Sequence, residues 1–330
     1  MTRSPGQGVP ELRQAIAEHL RSFRGMSVDP ERIIVGAGTE YLYGLLIQLL
    51  GRETCVAVEE PGYGKIRRVY RSQGVRCVPV AMDAMGIRPD LPEGCGAVHI
   101  TPGHHFPTGT VMPITRRYEL LAWASAAPDR YIIEDDYDSE FRFTGRVIPT
   151  LQSIDGIGRV IYINTFTRTL APTMRISYMV LPGELAARFR ELLGFYACTV
   201  PNMEQYTLAA FLSGGHFEQH LNRMRSVYRR RRDRLIGGIL EHTSVRLSDI
   251  RGQDAGLHFL LTPDIPMEDE AFCTCALRHG LRIRPLSDCY AADAARPSHT
   301  FIVSYAALRE EQLDEAVRRL AAALREAERG

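Results

Sequence analysis

The chain has 330 residues, of which 45% are hydrophobic and 24% are charged, and its formal net charge is +1. This composition excludes a disordered chain, a coiled coil and a collagen. The near-zero charge gives no overall attraction to nucleic acid or to an anionic membrane, and the length predicts about two domains.

Helices and short apolar strands alternate through the first two thirds of the chain. Helices are predicted at 10–23, 40–50, 64–73 and 114–126, and strands at 32–35, 55–58, 75–80, 97–101, 131–133 and 160–164. Such alternation predicts an α/β fold, with a mostly parallel sheet covered by helices on both faces.

The character of the sequence changes near residue 202. A long helical stretch with the basic run 223–234 is followed by strands at 256–261, 281–285 and 301–305 and by helices at 268–279 and 310–328. We therefore predict a large domain over 1–205 and a smaller C-terminal α+β domain over 206–330. The basic run could be a nucleic-acid stripe, but Met224, Val227 and Tyr228 on one side favour the solvated face of a helix.

Targeting signals and metal motifs are not evident. No run of 18 or more apolar residues suggests a membrane span, and the polar N-terminus does not resemble a signal peptide. The seven cysteines are scattered, with only Cys273 and Cys275 close together. This pattern favours reduced thiols in a cytoplasmic protein and predicts no metal site.

Polar residues follow three of the predicted strands. A Gly-Ala-Gly-Thr turn (36–39) opens a helix, an acidic segment (134–140) follows the strand at 131–133, and a segment with hydroxyls and two arginines (165–175) follows the strand at 160–164. Ligands of doubly wound sheets bind at the carboxyl ends of strands. Free N–H groups at a helix N-terminus, hydroxyls and arginines suit a phosphate.

These segments carry a family resemblance. The stretches GQGVPELRQAIAEHL, VDPERIIVGAGTEYL, VAVEEPGYG, ITPGHHFPTGTVMP, YIIEDDYDSEFRF and VIYINTFTRTLAPTMRISYMVLP occur in family order, followed by GGHFEQHLNRMRSVYRRRRD and RIRPLS. The chain resembles the fold type I, pyridoxal-phosphate-dependent aminotransferases. More narrowly, it is similar to the aminotransferase-like domain of the MocR-type regulators of the GntR superfamily.

The resemblance makes 1–205 the cofactor-binding domain and assigns roles to residues within it. Gly38, Thr39, Thr165, Thr167 and Arg175 fall where the family holds the cofactor phosphate. Each residue also has a structural explanation; Arg175, for example, could form an ordinary surface ion pair.

The resemblance also assigns contacts to the cofactor ring and to an effector. Tyr63 falls where an aromatic side chain stacks on the ring, Asp135 where a carboxylate pairs with the ring nitrogen, and Tyr137 where a hydroxyl meets the phenolic oxygen. Lys65 aligns with a cation that grips an effector carboxylate in one branch of the regulators, and Arg284 is a second possible contact. The alternatives are a core tyrosine, a capping aspartate, an exposed helix-start lysine and a surface strand arginine.

One position departs from the family. The lysine that forms the Schiff base is replaced by Arg168, and Lys65 is the single lysine of the chain. A Schiff base needs a neutral amine, whereas a guanidinium stays protonated and is a poor nucleophile. We therefore expect pyridoxal phosphate to bind without a covalent bond and conventional transamination to fail. The arginine could be natural or introduced deliberately, and Lys65 is the alternative amine.

Three functions remain open from the sequence. The first is the effector-binding, dimerising domain of a MocR-type regulator, with a small amino-acid-like effector. The second is an amino-acid aminotransferase inactivated at Arg168, so whether the chain is an enzyme stays uncertain. The third is a cofactor-free dimerisation module. No helix-turn-helix precedes Pro10, so we expect no direct DNA contact from this chain.

Overall fold

The computed structural model describes residues 5–143, 148–171, 173–291 and 296–329. Its strands form one sheet of eight strands and another of four. Within these ranges, no helix combines the length and the apolar character that a membrane crossing requires.

The larger sheet is mostly parallel, which confirms the predicted fold class. Its strands are β1 (Ile33–Gly36), β2 (Cys55–Glu60), β3 (Cys77–Asp83), β4 (Gly86–Ile87), β5 (Cys95–Ile100), β6 (Tyr131–Asp135), β7 (Val160–Thr165) and β8 (Ser177–Val180). Their order is β1-β8-β7-β6-β5-β2-β3-β4. Strands β3, β2, β5, β6 and β7 run parallel, and β8 is antiparallel to both β7 and β1. The carboxyl ends of β1, β2, β5, β6 and β7 therefore meet at one edge.

Helices cover both faces of this sheet. They are α1 (Pro10–Arg24), α2 (Thr39–Leu50), α3 (Gly64–Ser72), α4 (Ile114–Ser125), α5 (Leu151–Ile154), α6 (Gly183–Leu193) and α7 (Asn202–Ser213). Strand side chains alternate between the two faces. Ile34 packs into a core with α2, α3 and α6, whereas Ile33 and Val35 pack into a core with α1 and α7.

The first helix shows how the sequence sets the ends of an element. Pro10 stands in the first turn of α1, where its missing N–H costs no hydrogen bond. Gly25 ends the helix in the left-handed conformation, with φ of 66°. Leu12, Ile16 and Leu20 lie at helical spacing and are buried, and each such side chain contributes roughly 1.5–3 kcal/mol of apolar burial.

The smaller sheet is antiparallel and lies in the C-terminal part of the chain. Its strands are β9 (Ile250–Arg251), β10 (His258–Leu261), β11 (Arg284–Pro285) and β12 (Phe301–Ser304), in the order β11-β12-β10-β9. The helices α8 (His216–His242), α9 (Asp269–Arg278) and α10 (Leu313–Ala327) contribute to the same apolar core as this sheet. The strand predicted at 281–285 is shorter than expected, since only its last two residues pair.

The predicted domain boundary at residue 205 falls inside α7. Gln205 is fully buried, and its Oε1 accepts a hydrogen bond from the backbone N–H of Val9 at 2.8 Å. Helix α7 also packs against α1. We therefore propose that the large domain extends beyond residue 205, through α7 and the first turns of α8, where Phe217 and Leu221 still pack into its core.

Candidate functional site

A cavity of about 310 Å³ opens at the carboxyl edge of the larger sheet. The sequence-predicted residues that line it are Thr39, Tyr63, Lys65, Asp135, Tyr137, Thr165, Thr167, Arg168 and Arg175. They come from segments far apart in the chain. The parallel strands bring these segments together because their carboxyl ends lie side by side.

One end of the cavity is built to receive an anion. Helix α2 begins at Thr39, and the first N–H groups of a helix have no acceptor within it. Gly38 precedes the helix with φ of 96°, and a Cβ there would lie 2.5 Å from Arg175 Nη2. A glycine is therefore needed both for the backbone conformation and for the approach of Arg175. Such a helix start is a ready phosphate site.

Two threonine hydroxyls lie at the end of β7. Thr165 Oγ1 donates to Thr167 Oγ1 at 3.0 Å and accepts from Ser177 Oγ at 2.8 Å. Thr167 Oγ1 donates to the carbonyl of Met174 at 3.0 Å. These bonds fix both hydroxyls at the cavity wall, where each can rotate its proton toward an anion.

A carboxylate that the sequence did not reveal connects two of the cations. Glu40 Oε2 accepts from Arg175 Nη2 at 2.8 Å, and Glu40 Oε1 accepts from Lys65 Nζ. Partial burial would raise the pKa of Glu40, but the hydrogen bond from Lys65 and the charge of Arg175 lower it overall. Glu40 is therefore an anion that holds both cations near the mouth of the cavity.

Asp135 presents a carboxylate to the cavity from the last residue of β6. It is 5% exposed, its Oδ2 accepts from the hydroxyl of Tyr43, and His99 Nε2 lies 3.5 Å from the same oxygen. Burial, reinforced by the charge of Asp135, raises the pKa of Tyr43 well above its usual value, so this hydroxyl keeps its proton.

The other oxygen of this carboxylate, Asp135 Oδ1, has no hydrogen-bond partner among the described atoms. A buried acceptor without a donor is costly. A protonated ring nitrogen would supply the missing donor.

Tyr137 and Arg168 line the side of the cavity that faces the smaller sheet. The hydroxyl of Tyr137 lies 3.5 Å from His104 Nδ1, and the ring of His104 lies 5.0 Å from that of His258 on β10. Burial raises the pKa of Tyr137, the charge of Asp138 adds to this effect, and the positive charge of Arg168 opposes it. Arg168 itself is exposed.

Two aromatic side chains complete the wall. Tyr63 is 43% exposed, and its ring meets Phe106 edge to face at a centroid distance of 5.7 Å. An aromatic face that is open on one side can stack on a planar ligand.

Arg284 is a predicted effector contact that the structure does not bring to this cavity. It lies on β11 and is exposed, and its Nε lies 3.5 Å from Asp288 Oδ2. Its assignment as an effector contact therefore stays a prediction without support from the geometry.

The residues present fit the cofactor that the resemblance implies. A phosphate would meet the start of α2, the two threonine hydroxyls and Arg175, and a ring nitrogen would meet the unsatisfied oxygen of Asp135. Tyr43, His99, Glu40 and Phe106 were missed by sequence reasoning. Tyr43 had a usable signal, because it stands one helical turn after Thr39 and so shares its face.

One group outside the cavity has the chemistry of metal ligands, although the sequence predicted none. Cys275, His279 and Glu326 bring three ligand atoms within 4.8 Å of one another. Glu326 is already bound by Arg278 at 2.6 Å and by His279 at 2.9 Å. These bonds compete with an ion for the same carboxylate.

Comparison with known proteins places the chain in a family. The family model for aminotransferase class I and II matches residues 2–320. The HTH-type transcriptional regulator YdeL of Bacillus subtilis, itself uncharacterized, is 37% identical over 95% of this chain and 67% of its own length. The pyridoxine biosynthesis regulator PdxR of Corynebacterium glutamicum is 36% identical over 87% of this chain and 62% of its own length. The chain thus spans about two thirds of the relatives it matches.

The fold is also that of solved aminotransferases. The kynurenine aminotransferase of Pyrococcus horikoshii has a TM-score of 0.82, with 23% identity over 99% of this chain and 82% of that one. At this identity, the likeness shows the fold alone.

The prediction about DNA was wrong. We expected no direct DNA contact from this chain because no helix-turn-helix precedes Pro10, but the relatives are helix-turn-helix regulators matched over only part of their length. The position of Met1 is therefore no argument against a role at DNA. The chain belongs to the aminotransferase class I and II family, in the branch that it shares with the MocR-type transcriptional regulators.

Proposed function

We propose that this chain is the sensor part of a cytoplasmic MocR-type transcriptional regulator, which holds pyridoxal phosphate without a covalent bond and responds to a small amino-acid-like effector. The observation that carries the proposal is the combination of a cavity suited to the cofactor with an arginine, Arg168, in place of a reactive lysine. The regulator relatives support the cellular role, and the free cysteines support a reducing compartment.

The residues of the cavity would hold the cofactor at three points. Arg175 and the start of α2 would bind the phosphate, Asp135 would accept a hydrogen bond from the ring nitrogen, and Tyr63 would cover the ring. When bound, pyridoxal phosphate supplies an electron-withdrawing ring and an aldehyde that reacts with amines. Asp135 would keep the proton on the ring nitrogen, and Tyr43 would hold the carboxylate in place.

Arg168 explains why we favour a sensor over an enzyme. A guanidinium neither attacks an aldehyde nor moves a proton between substrate atoms, because it stays protonated. The binding set is otherwise intact, which favours retention of the ligand without the reaction. Lys65 is the one described amine side chain in the cavity, and Glu40 holds it as an ammonium partner.

We also propose that two copies of the chain associate. Phe195, Met203 and Tyr206 are 68%, 82% and 48% exposed. Phe195 follows the end of α6, and Met203 and Tyr206 lie in the first two turns of α7. Exposed apolar clusters mark contact surfaces. Sedimentation of the purified chain is expected to show a dimer, and Met203→Glu is expected to weaken it; a monomeric parent would contradict this proposal.

Absorbance spectroscopy with added pyridoxal phosphate tests whether the cofactor binds, and the mass of the protein after borohydride reduction and denaturation tests whether the bond is covalent. The parent protein is expected to bind the cofactor but to retain no cofactor mass. Arg168→Lys is expected to retain that mass, because it restores an amine at this point of the cavity. Arg234→Lys is the matched control, since it adds an amine on the exposed face of α8 and is expected to retain none.

Each outcome decides between functions. A cofactor mass on Lys65 of the parent would overturn the non-covalent proposal and favour an enzyme that uses that amine. Failure of both the parent and Arg168→Lys to bind the cofactor would favour the cofactor-free module instead.

A further inference from the structure

We propose that Arg168 makes the cavity select pyridine phosphates by the charge of the group at ring position 4, favouring a carboxylate or carbonyl and disfavouring an ammonium. This inference rests on the proposed function and names the ligand class of the same site. It concerns non-covalent recognition, for which a guanidinium is well suited, because its planar set of donors matches a carboxylate.

The position of Arg168 in the cavity is the first argument. It stands three residues beyond the last residue of β7 and lines the cavity together with Tyr137. Its side chain is exposed, and no hydrogen bond or ion pair connects its guanidinium to another residue of the described ranges. A ligand that binds this guanidinium would therefore break none of its contacts with the described part of the chain.

The other two cations of the cavity differ in this respect. Arg175 and Lys65 both bind Glu40, which neutralises part of their charge. Arg175 also stands at the phosphate end, beside Gly38. Arg168 is thus the cation left to recognise a second group of a ligand whose phosphate is already held.

The residues around Arg168 also support its role in ligand recognition. Tyr137, Tyr228 and His258 lie close enough to Arg168 for its charge to affect their pKa values. Burial is the main cause of each shift, raising the pKa of the two tyrosines and lowering that of His258. The charge of Arg168 acts to lower the pKa of all three. Asp138, which also faces Tyr137, is bound by His104 Nδ1 at 3.0 Å. The carboxylate nearby is thus already engaged by a neighbour other than Arg168.

The order of groups on the ring would bring position 4 toward Arg168. In a pyridine phosphate of this kind, the group at position 4 lies across the ring from the nitrogen and next to the phosphate arm. With the nitrogen at buried Asp135 and the phosphate at Arg175, that group would point away from Asp135, toward the exposed wall. Arg168 belongs to this wall.

Isothermal titration calorimetry with three ligands tests the inference. The probes are 4-pyridoxic acid 5′-phosphate (carboxylate), 4-deoxypyridoxine 5′-phosphate (methyl) and pyridoxamine 5′-phosphate (ammonium). None has an aldehyde, so the amine of Lys65 cannot react with them. For the parent protein we expect affinity to fall in that order, by roughly tenfold from carboxylate to ammonium, which is the effect of about 1.4 kcal/mol.

Two substitutions isolate the charge. Arg168→Gln is expected to bring the three affinities within about threefold of one another, because it removes the charge and keeps hydrogen-bonding groups. Arg168→Lys keeps a positive charge and is expected to keep the order. Arg234→Gln, on the exposed face of α8, is the matched control and is expected to behave like the parent.

The outcomes separate the two proposals. If the parent binds none of the three phosphates, the proposed function itself fails. If it binds them with equal affinity, or if the order survives in Arg168→Gln, the cofactor site stands and the role of Arg168 is refuted. Circular dichroism of Arg168→Gln checks its fold, and Arg168→Met gives a second uncharged variant if it is misfolded.

Discussion

A buried ion pair connects Arg24, at the end of α1, to Asp136, the residue after Asp135. Arg24 Nη2 lies 2.5 Å from Asp136 Oδ2, and the two side chains are 7% and 2% exposed. The hydroxyl of Tyr162 donates to the same carboxylate oxygen at 2.7 Å. Burial alone would lower the pKa of Arg24, but Asp136 and other nearby acidic groups raise it overall, so the pair is ionised.

Removal of one partner should destabilise the protein strongly. Arg24→Met keeps most of the side-chain volume and leaves the charge of Asp136 buried without its cation, which costs about 3–5 kcal/mol. The matched control is Arg234→Met. Arg234 binds Asp314 at 2.6 Å, but the two side chains are 48% and 58% exposed, and such surface pairs contribute little.

Urea unfolding, followed by circular dichroism, measures the difference. The midpoint of Arg24→Met is expected to fall clearly below that of the parent, with an unchanged slope, whereas Arg234→Met is expected to unfold at the parent midpoint. The double variant Arg24→Met/Asp136→Leu should recover part of the loss, because it removes both charges. Equal midpoints for Arg24→Met and Arg234→Met would refute the reasoning.

Three further predictions each concern the substitution of one residue. Burial raises the pKa of Glu59 from 4.5 to about 8. Its contribution to stability is therefore full below about pH 4.5 and is lost as the pH rises through 8. The urea midpoint of Glu59→Gln should vary less over this range than that of the parent. Burial and the charge of Arg24 lower the pKa of His19 from 6.5 to about 4. The contribution of His19 to stability is therefore lost as the pH falls from 6.5 to 4. His19→Phe should unfold less readily in acid than the parent. Gly38→Ala should lose about 1–3 kcal/mol of stability and weaken phosphate binding in calorimetry. Gly183→Ala is the control, because no atom lies within 4 Å of its added Cβ, and it should keep both the stability and the phosphate affinity of the parent. A parent-like pH profile for the first two variants, or parent-like binding by the third, would contradict the respective prediction.

Residues at the ends of parallel strands could be located from the sequence. Thr39, Asp135 and Thr165 each stand at a junction that apolar runs and turn residues define, and parallel strands bring such junctions to one edge. Their placement in one cavity needed no knowledge of register. The resemblance then gave each of them a role.

Contacts that depend on the direction in which side chains point could not be located in this way. Glu40 reaches Arg175 from 135 positions away in the chain, and His99 reaches Asp135 only through the register of β5 against β6. Strand β8 was missed because a four-residue segment that does not alternate strictly carries no distinctive period. Arg284 was assigned from its segment alone, and the pairing of β11 with β12 leaves it exposed.

Glu40 makes the uptake of a ligand by this cavity a competition between anions. This carboxylate already binds Nη2 of Arg175 and the ammonium of Lys65. On the proposed function, a phosphate monoester would compete with Glu40 for Arg175, and it would bring up to two negative charges and use the start of α2 as well. Chloride would bring one negative charge to the same competition. We therefore expect the cavity to favour a phosphate over chloride before any contact with a ring is made.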